Sequence, residues 1–135
     1  MKRLVVLLSV AFLVACAHLR IDQAITAYDS VADQIRLGDS KEEVLTIFQP
    51  IIDKVTPAER KRAEQYKQDG VLVEIIYMRS ANYVDGLVTD DEFIPYVFHD
   101  GVLVGIGWQI LGGPKTQGQV QPNSTYIHAQ GTYIY

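Results

Sequence analysis

The chain of 135 residues contains a single cysteine, Cys16. Without a second cysteine no disulfide can form within the chain, so the fold has to be held together by apolar burial. The sequence also lacks cysteine or histidine pairs at zinc-ligand spacing, and it lacks the Gly-x-Ser-x-Gly nucleophile motif. Its three histidines, His18, His99 and His128, stand isolated. We therefore predict a non-enzymatic protein with no catalytic residue, no cofactor and no metal site.

The sequence has no apolar run long enough to span a membrane, which takes about 20 residues. The run from Leu4 to Val14 is interrupted by Ser9, and polar residues follow soon after Cys16. The basic pair Lys2-Arg3 precedes this run, and small residues stand near its end. A basic start, a short apolar segment and small residues at the end are typical of a secretory signal peptide.

The stretch Leu13-Val14-Ala15-Cys16 resembles the lipobox of bacterial lipoproteins. This resemblance implies cleavage between Ala15 and Cys16, a diacylglyceryl group on the Cys16 thiol and acylation of the new amino terminus. An ordinary signal peptide would instead leave an unpaired thiol in an oxidising compartment. In bacterial lipoproteins, which the lipobox resembles, an aspartate after the cysteine retains the protein at the inner membrane; Ala17 stands there in this chain, so the resemblance implies sorting to the periplasmic face of the outer membrane. We predict a signal peptide at 1–15 and a lipidated tether at 16–20.

Positive charge is scarce in the predicted mature chain. Removal of residues 1–15 takes away Lys2 and Arg3, which leaves 10 basic and 16 acidic side chains and a net charge of −6. Binding to nucleic acid through its phosphates needs a basic face, so we predict no nucleic-acid partner. The remaining 120 residues suit one small domain.

The first half of the mature chain shows helical periodicity. Apolar residues recur at three- and four-residue steps and predict a helix of about four turns with its stop at Gly38; they are Ile21, Ala24, Ile25, Tyr28, Val31, Ala32 and Ile35. Ser40 and Glu43 form a capping-box pattern for a second helix, which buries Val44, Leu45 and Phe48. Thr56-Pro57 indicates the start of a third helix that runs from Ala58 to about Lys67.

The second half changes to the two-residue period of β-strands. We predict strands at Val71–Arg79, Ile94–His99 and Val102–Leu111, with Asp100-Gly101 as a tight type I′ turn. The segment Ser124–Tyr135 forms either a short fourth strand or a mobile tail. The predicted fold is therefore α+β, with two or three helices packed on a three-stranded antiparallel meander. The predicted domain covers 21–112, and 113–135 is a Gly/Gln-rich tail.

Residues 35–44 read Ile-Arg-Leu-Gly-Asp-Ser-Lys-Glu-Glu-Val. With the lipobox and the order of helices before strands, they resemble the SmpA/OmlA (BamE-like) family of small outer-membrane lipoproteins. That family commonly has Gly-x-Pro after this helix, where the present chain has Gln49-Pro50-Ile51. The stretch from Arg79 to Trp108 is similar to uncharacterised proteobacterial lipoproteins, through Asp85-Gly86, Thr89–Phe93, Pro95–Phe98 and Gly101–Trp108. The resemblance covers about half of the mature chain and implies a BamE-like fold.

Two groups of residues are candidates for a site. Asp85, Asp90, Asp91 and Glu92 offer oxygen ligands for a hard cation such as calcium, but their spacing is not that of the twelve-residue calcium loop. The interpretation we favour is that Asp85-Gly86 forms a turn and that one acidic residue pairs with Arg79.

The second candidate is an interaction surface that comprises Tyr96, Trp108, Arg60 and Arg62. Aromatic residues on strands usually pack in the core, and a basic segment is usually a solvated face, so each of these residues also has a purely structural interpretation.

The lipobox and the absence of catalytic motifs favour a lipid-anchored envelope protein that binds or scaffolds an envelope protein partner. The resemblance to the SmpA/OmlA family implies that this role is in outer-membrane protein assembly or envelope maintenance. An alternative is an inhibitor or sensor of an envelope enzyme or periplasmic ligand, because two helices followed by a sheet are also similar to the repeats of β-lactamase inhibitor proteins. The membrane contact is predicted to be made through the lipid on Cys16.

Overall fold

A computed structural model of the chain describes residues 19–83 and 85–118. The predicted signal peptide, Cys16, His18, His128 and the segment Ser124–Tyr135 lie outside the described residues. Within the described ranges no helix has the length and apolarity needed to cross a membrane.

The architecture is α+β, with two helices followed by a four-stranded antiparallel sheet. Helix α1 covers residues 19–29 and helix α2 covers Lys41–Ile52. The strands are β1 (Glu64–Gln68), β2 (Val71–Arg79), β3 (Phe93–His99) and β4 (Val102–Ile106), in the spatial order β1-β2-β3-β4. Short 3₁₀ turns occur at Ala32–Gln34, Pro57–Glu59, Asp90–Glu92 and Trp108–Leu111.

Helix α1 is shorter than its apolar stripe predicts. The α-helix ends at residue 29, where the Ser30 hydroxyl donates to the carbonyl oxygen of Ala27 at 2.7 Å and so competes with the backbone pattern of the helix. A 3₁₀ turn then carries Ile35 into the core. Gly38 has a φ of +96°, as predicted for a left-handed stop, and its amide donates to the carbonyl oxygen of Leu103 at 2.8 Å. The stop therefore directs the chain along β4.

Helix α2 begins with the predicted capping box. The Ser40 hydroxyl accepts from the Glu43 amide at 3.3 Å, and the Ser40 amide donates to Glu43 Oε2 at 3.0 Å. Hydrogen bonds from the backbone amide and hydroxyl of Ser40 hold the pKa of Glu43 below its usual value. Val44 and Phe48 are fully buried on the face that packs against the sheet.

The predicted third helix is wrong. Thr56 and Glu59 do form a capping box, but the turn that it starts ends at Glu59, and the chain then forms strand β1. A helix over 58–67 would have had almost no apolar stripe to bury, and most helical stability in proteins comes from such burial. The segment instead gains hydrogen bonds along β2, so the sheet has four strands rather than the predicted three.

The last predicted strand is also too long. Strand β4 ends at Ile106, because Gly107 adopts a φ of +95° and turns the chain into the 3₁₀ segment Trp108–Leu111. This segment folds back over the sheet, where the Trp108 indole donates to the carbonyl oxygen of Phe93 at 2.6 Å.

The central strands of the sheet carry apolar residues on both faces. Ile76, Met78, Tyr96, Phe98 and Leu103 face the two helices in the larger core cluster. A second cluster on the opposite face is covered in part by Trp108 and Leu111, and it contains Val73, Ile75, Tyr77, Phe93 and Val97. The two-residue alternation along β2 and β3 thus supplies both layers of the core.

Candidate functional site

The residues from 80 to 92 connect β2 to β3 and carry the acidic group that the sequence analysis singled out. We call this segment the connector. Its last turn, Asp90–Glu92, is preceded by Thr89 as cap, whose amide donates to Glu92 Oε2 at 2.9 Å. This capping geometry holds three successive carboxylates at the end where β2 finishes and β3 begins.

Glu92 is fully buried and is paired with Arg79, as the favoured interpretation of the sequence predicted. Arg79 Nη2 donates to Glu92 Oε1 at 2.7 Å. The backbone amide of Tyr83 donates to the same oxygen at 3.0 Å. Both carboxylate oxygens of Glu92 are therefore occupied by donors from the chain itself.

Asp90 fastens the segment that follows the last 3₁₀ turn. Its carboxylate accepts from Lys61 Nζ at 2.9 Å and from the backbone amides of Lys115 and Thr116 at 3.0 and 3.4 Å. Burial raises the pKa of Asp90, but the Lys61 ammonium and these two amides lower it more in sum, so the net pKa lies below its usual value. The charged form of Asp90 is thus the form that this site stabilises.

Asp91 holds the same segment at a second point. The amide of Gly118 donates to both carboxylate oxygens of Asp91, at 2.9 and 3.0 Å, and the Thr89 hydroxyl donates to Oδ1 at 2.6 Å. Hydrogen-bonded structure therefore continues through Gly118, beyond the predicted end of the domain at residue 112.

The acidic group acts as an internal clamp. No group of three or more potential metal ligands converges within the described ranges. The carboxylates of Asp90, Asp91 and Glu92 accept hydrogen bonds from the chain, and Asp85 Oδ1 accepts from the Leu87 amide at 2.9 Å. A cation at this place would have to displace those donors.

The structure does not bring the four predicted surface residues together. Tyr96 is 1 % exposed and lies in the core, so it is wrong as a surface residue. Its side chain points toward the helices, whereas Trp108 covers the opposite face of the sheet and stacks on Tyr77 at 5.6 Å between ring centroids. Arg60 Nε donates to the carbonyl oxygen of Val55 at 2.8 Å. Arg62 is exposed just before β1.

Buried hydroxyl groups of the core are bonded to each other. The Tyr28 and Tyr96 hydroxyls lie 2.9 Å apart. Burial is the main reason that the pKa of each phenol is raised, so both stay protonated near neutral pH. In the part of the chain that the structure describes, no buried side-chain nitrogen or oxygen lacks a hydrogen-bond partner. His99 is exposed at the end of β3.

Sequence reasoning missed an apolar group at the connector end of the molecule. Leu19, Leu87 and Val88 are 60, 52 and 51 % exposed; we call these three residues the apolar tip. Leu87 and Val88 line an open cavity of about 210 Å³ together with Ile21 of α1, and Glu59 and Arg79 also contribute to its walls. The signal in the sequence was the apolar pair Leu87-Val88 inside an otherwise polar stretch.

Comparison with protein-family models, with curated proteins and with solved structures finds no match for this chain. The likeness to the SmpA/OmlA family therefore stays a prediction.

Proposed function

We propose that this protein is a lipid-anchored module of the bacterial envelope, held at the periplasmic face of the outer membrane through Cys16, and that it binds or scaffolds an envelope protein without catalysis. One observation carries the proposal. Helical structure is already present at residue 19, three residues after Cys16, so the anchor and the folded domain are joined by a very short tether. A domain so close to its lipid stays at the membrane surface, which raises its effective concentration near membrane partners.

The chemistry of the described residues supports a non-catalytic role. The buried charged groups, Arg79, Asp90 and Glu92, hold the connector and the segment at 114–118 in place. These side chains are engaged in hydrogen bonds within the chain. A general acid or base instead needs an atom that can reach a substrate.

The BamE-like arrangement belongs to the same proposal. Its support is the order of elements, with helices before an antiparallel meander, and the capped start of α2 after Gly38 and Asp39. Strand β1 lies at the edge of the sheet that the described residues form and is exposed over its whole length, so a partner strand could pair with its outer side. Arg62 lies directly beside this edge.

The anchor is tested by replacing Cys16. In cells fed a fatty-acid probe, the Cys16→Ser variant should lose the label and should leave the membrane fraction, because the thiol is the attachment point. Labelling of the variant at the level of the natural chain would refute the anchor. The variant Thr46→Ser serves as a control for expression, since it keeps a hydroxyl at an exposed position of α2.

The partner is tested by photo-crosslinking in intact membranes. A crosslinking amino acid at Tyr66, in the exposed edge strand, is compared with one at Gln49 on the exposed side of α2. Components of outer-membrane protein assembly captured from Tyr66 would support the scaffold. Capture of a soluble hydrolase would instead favour the inhibitor or sensor.

A further inference from the structure

The apolar tip lies at the end of the domain that is nearest to the predicted lipid. Leu19 belongs to the first described turn of α1, and Cys16 precedes it by three residues. Three residues span at most about 11 Å even when fully extended. The headgroup layer on each side of a bilayer is about 5 to 8 Å thick. Leu19 is therefore held within or directly above the headgroup layer whenever Cys16 is lipidated.

Leu87 and Val88 are placed at the same end by contacts between α1 and the connector. They share one open cavity with Ile21, and the Asn82 side-chain amide donates to Asp22 Oδ1 at 3.3 Å. A local hydrogen bond stabilises the turn that carries them, since the Leu87 amide donates to Asp85 Oδ1. Gly86 in this turn has a φ of +75°. Their exposure thus results from a specific turn that directs two apolar side chains outward.

Single exposed apolar residues are ordinary on soluble proteins, and Leu37 and Val102 are also exposed, near the turn at Asp100-Gly101. What distinguishes the apolar tip is that it lies next to the predicted lipid. The charges on the first turn of α1 are Arg20 and Asp22, one of each sign, and both are exposed. These two charges cancel each other on that turn, and Asp85, whose carboxylate accepts from the Leu87 amide, adds one negative charge at the connector turn. Apolar side chains flanked by polar residues are suited to the interface between headgroups and acyl chains.

We propose that Leu19, Leu87 and Val88 dock into the headgroup region of the membrane that carries the Cys16 lipid, and that they fix the orientation of the domain with the connector end toward the bilayer. The proposal rests on the lipid anchor put forward above. The occupant of the tip is a lipid surface, and the opposite end of the sheet, with the turns at Asp69-Gly70 and Asp100-Gly101, points into the periplasm.

Leu37 provides a matched control. It is a leucine with 64 % exposure, but it precedes Gly38, which is hydrogen-bonded to β4 near the turn at Asp100-Gly101. Strand β2 runs the whole way between these two ends, and its nine residues span about 26 Å. A probe at Leu37 should therefore stay in water when the apolar tip is docked.

The experiment uses the full lipidated chain in vesicles of phosphatidylethanolamine and phosphatidylglycerol. The Cys16 thiol is consumed by the lipid, so the variants Leu87→Cys, Val88→Cys and Leu37→Cys each carry one free thiol for an environment-sensitive fluorophore. The fluorescence emission of labels at 87 and 88 should shift to the blue when the chain binds vesicles. These labels should be quenched by lipids that carry a nitroxide near the headgroup, and they should be protected from quenching by iodide in the water. The label at 37 should do none of these.

The outcomes separate the two proposals. Equal quenching of the labels at 37, 87 and 88, with the chain floating together with the vesicles, overturns the docking and leaves the anchor standing. A lipid-processed chain that does not float with the vesicles overturns both. Because two positions of the apolar tip are labelled, a local effect of one substitution can be distinguished from docking of the tip.

Discussion

Arg79 and Glu92 form a buried ion pair across the ends of β2 and β3, with 2.7 Å between Nη2 and Oε1 and with side chains that are 5 and 0 % exposed. The other two guanidinium nitrogens are also engaged, since Nη1 donates to the carbonyl oxygen of Glu59 at 2.8 Å and Nε to that of Ala81 at 3.1 Å. Buried charges are tolerated when they are both paired and fully hydrogen-bonded. The pair therefore joins two strands, the connector and the turn before β1 in one network.

Removal of one partner should be costly. The Glu92→Gln variant leaves the Arg79 charge buried without its counter-charge, and we expect the free energy of unfolding in urea to fall by about 3 to 5 kcal/mol. Glu42→Gln, on an exposed side of α2, should change it by less than about 0.5 kcal/mol. Equal effects of the two substitutions would show that Arg79 reaches water in the folded state.

The clamp at Asp90 predicts loss of stability in acid. The pKa of Asp90 is lowered in the folded state, so its contribution to stability is present above the unfolded pKa of about 3.9 and is lost as the pH falls through the lower folded pKa. The Asp90→Asn variant should be less stable than the natural chain at pH 7. The difference should shrink as the pH is lowered through that window. Urea unfolding at a series of pH values measures both.

The same variant should release the segment at 114–118. Backbone amides of Lys115 and Thr116 donate to the Asp90 carboxylate, so their hydrogen exchange should accelerate in Asp90→Asn. Exchange at Ile76 in the middle of β2 should change far less. Asp53→Asn, at an exposed position after α2, should leave the exchange of residues 115 and 116 unchanged. Unchanged exchange in Asp90→Asn would argue against the clamp.

Local signals predicted the elements that depend on neighbours in sequence. The Ser40–Glu43 capping box is confirmed. It could be predicted because both of its hydrogen bonds join residues that are three apart in the sequence. The Asp100-Gly101 turn is confirmed as well, with φ values of +47° and +82°. The pairing of Arg79 with an acidic residue was also predicted, although the sequence left open which carboxylate it would be.

Strand β1 shows where local reasoning fails. All five of its residues are exposed, so no apolar alternation marks it, and its conformation comes from pairing with β2. The sequence does contain one local signal for this strand. Asp69-Gly70 has φ values of +51° and +83°, nearly those of Asp100-Gly101, and it likewise joins two strands through a two-residue loop. The same dipeptide rule predicts both hairpins.

The clamp could not be predicted from sequence for a related reason. Asp90 and Asp91 bind amides that lie 25 to 27 residues further along the chain. The Gly- and Gln-rich segment after residue 112 carries no sequence pattern that identifies these amides, because every backbone amide is an equivalent donor. The three-dimensional path of the chain after Trp108 decides the partner.

The buried hydroxyl pair predicts strong coupling between two core positions. Tyr28→Phe leaves the Tyr96 hydroxyl buried without a partner, and we expect a loss of about 1 to 3 kcal/mol in the free energy of unfolding. Tyr28→Phe with Tyr96→Phe removes both polar groups, so the double variant should recover most of that loss. Chemical denaturation of the four chains gives the coupling energy. Additive losses would mean that water satisfies the remaining hydroxyl.

The turn at Asp100-Gly101 allows the cost of backbone strain to be measured without a steric clash. Gly101 has a φ of +82°, and a Cβ placed there would meet no atom within 4 Å. Gly101→Ala should therefore lower the free energy of unfolding by about 1 to 2 kcal/mol through backbone strain alone. Gly101→Asn should cost less, because asparagine tolerates the left-handed region. Thermal and urea unfolding of the two variants make the comparison. A larger loss for asparagine than for alanine would show that side-chain bulk, and not backbone angle, selects glycine at this turn.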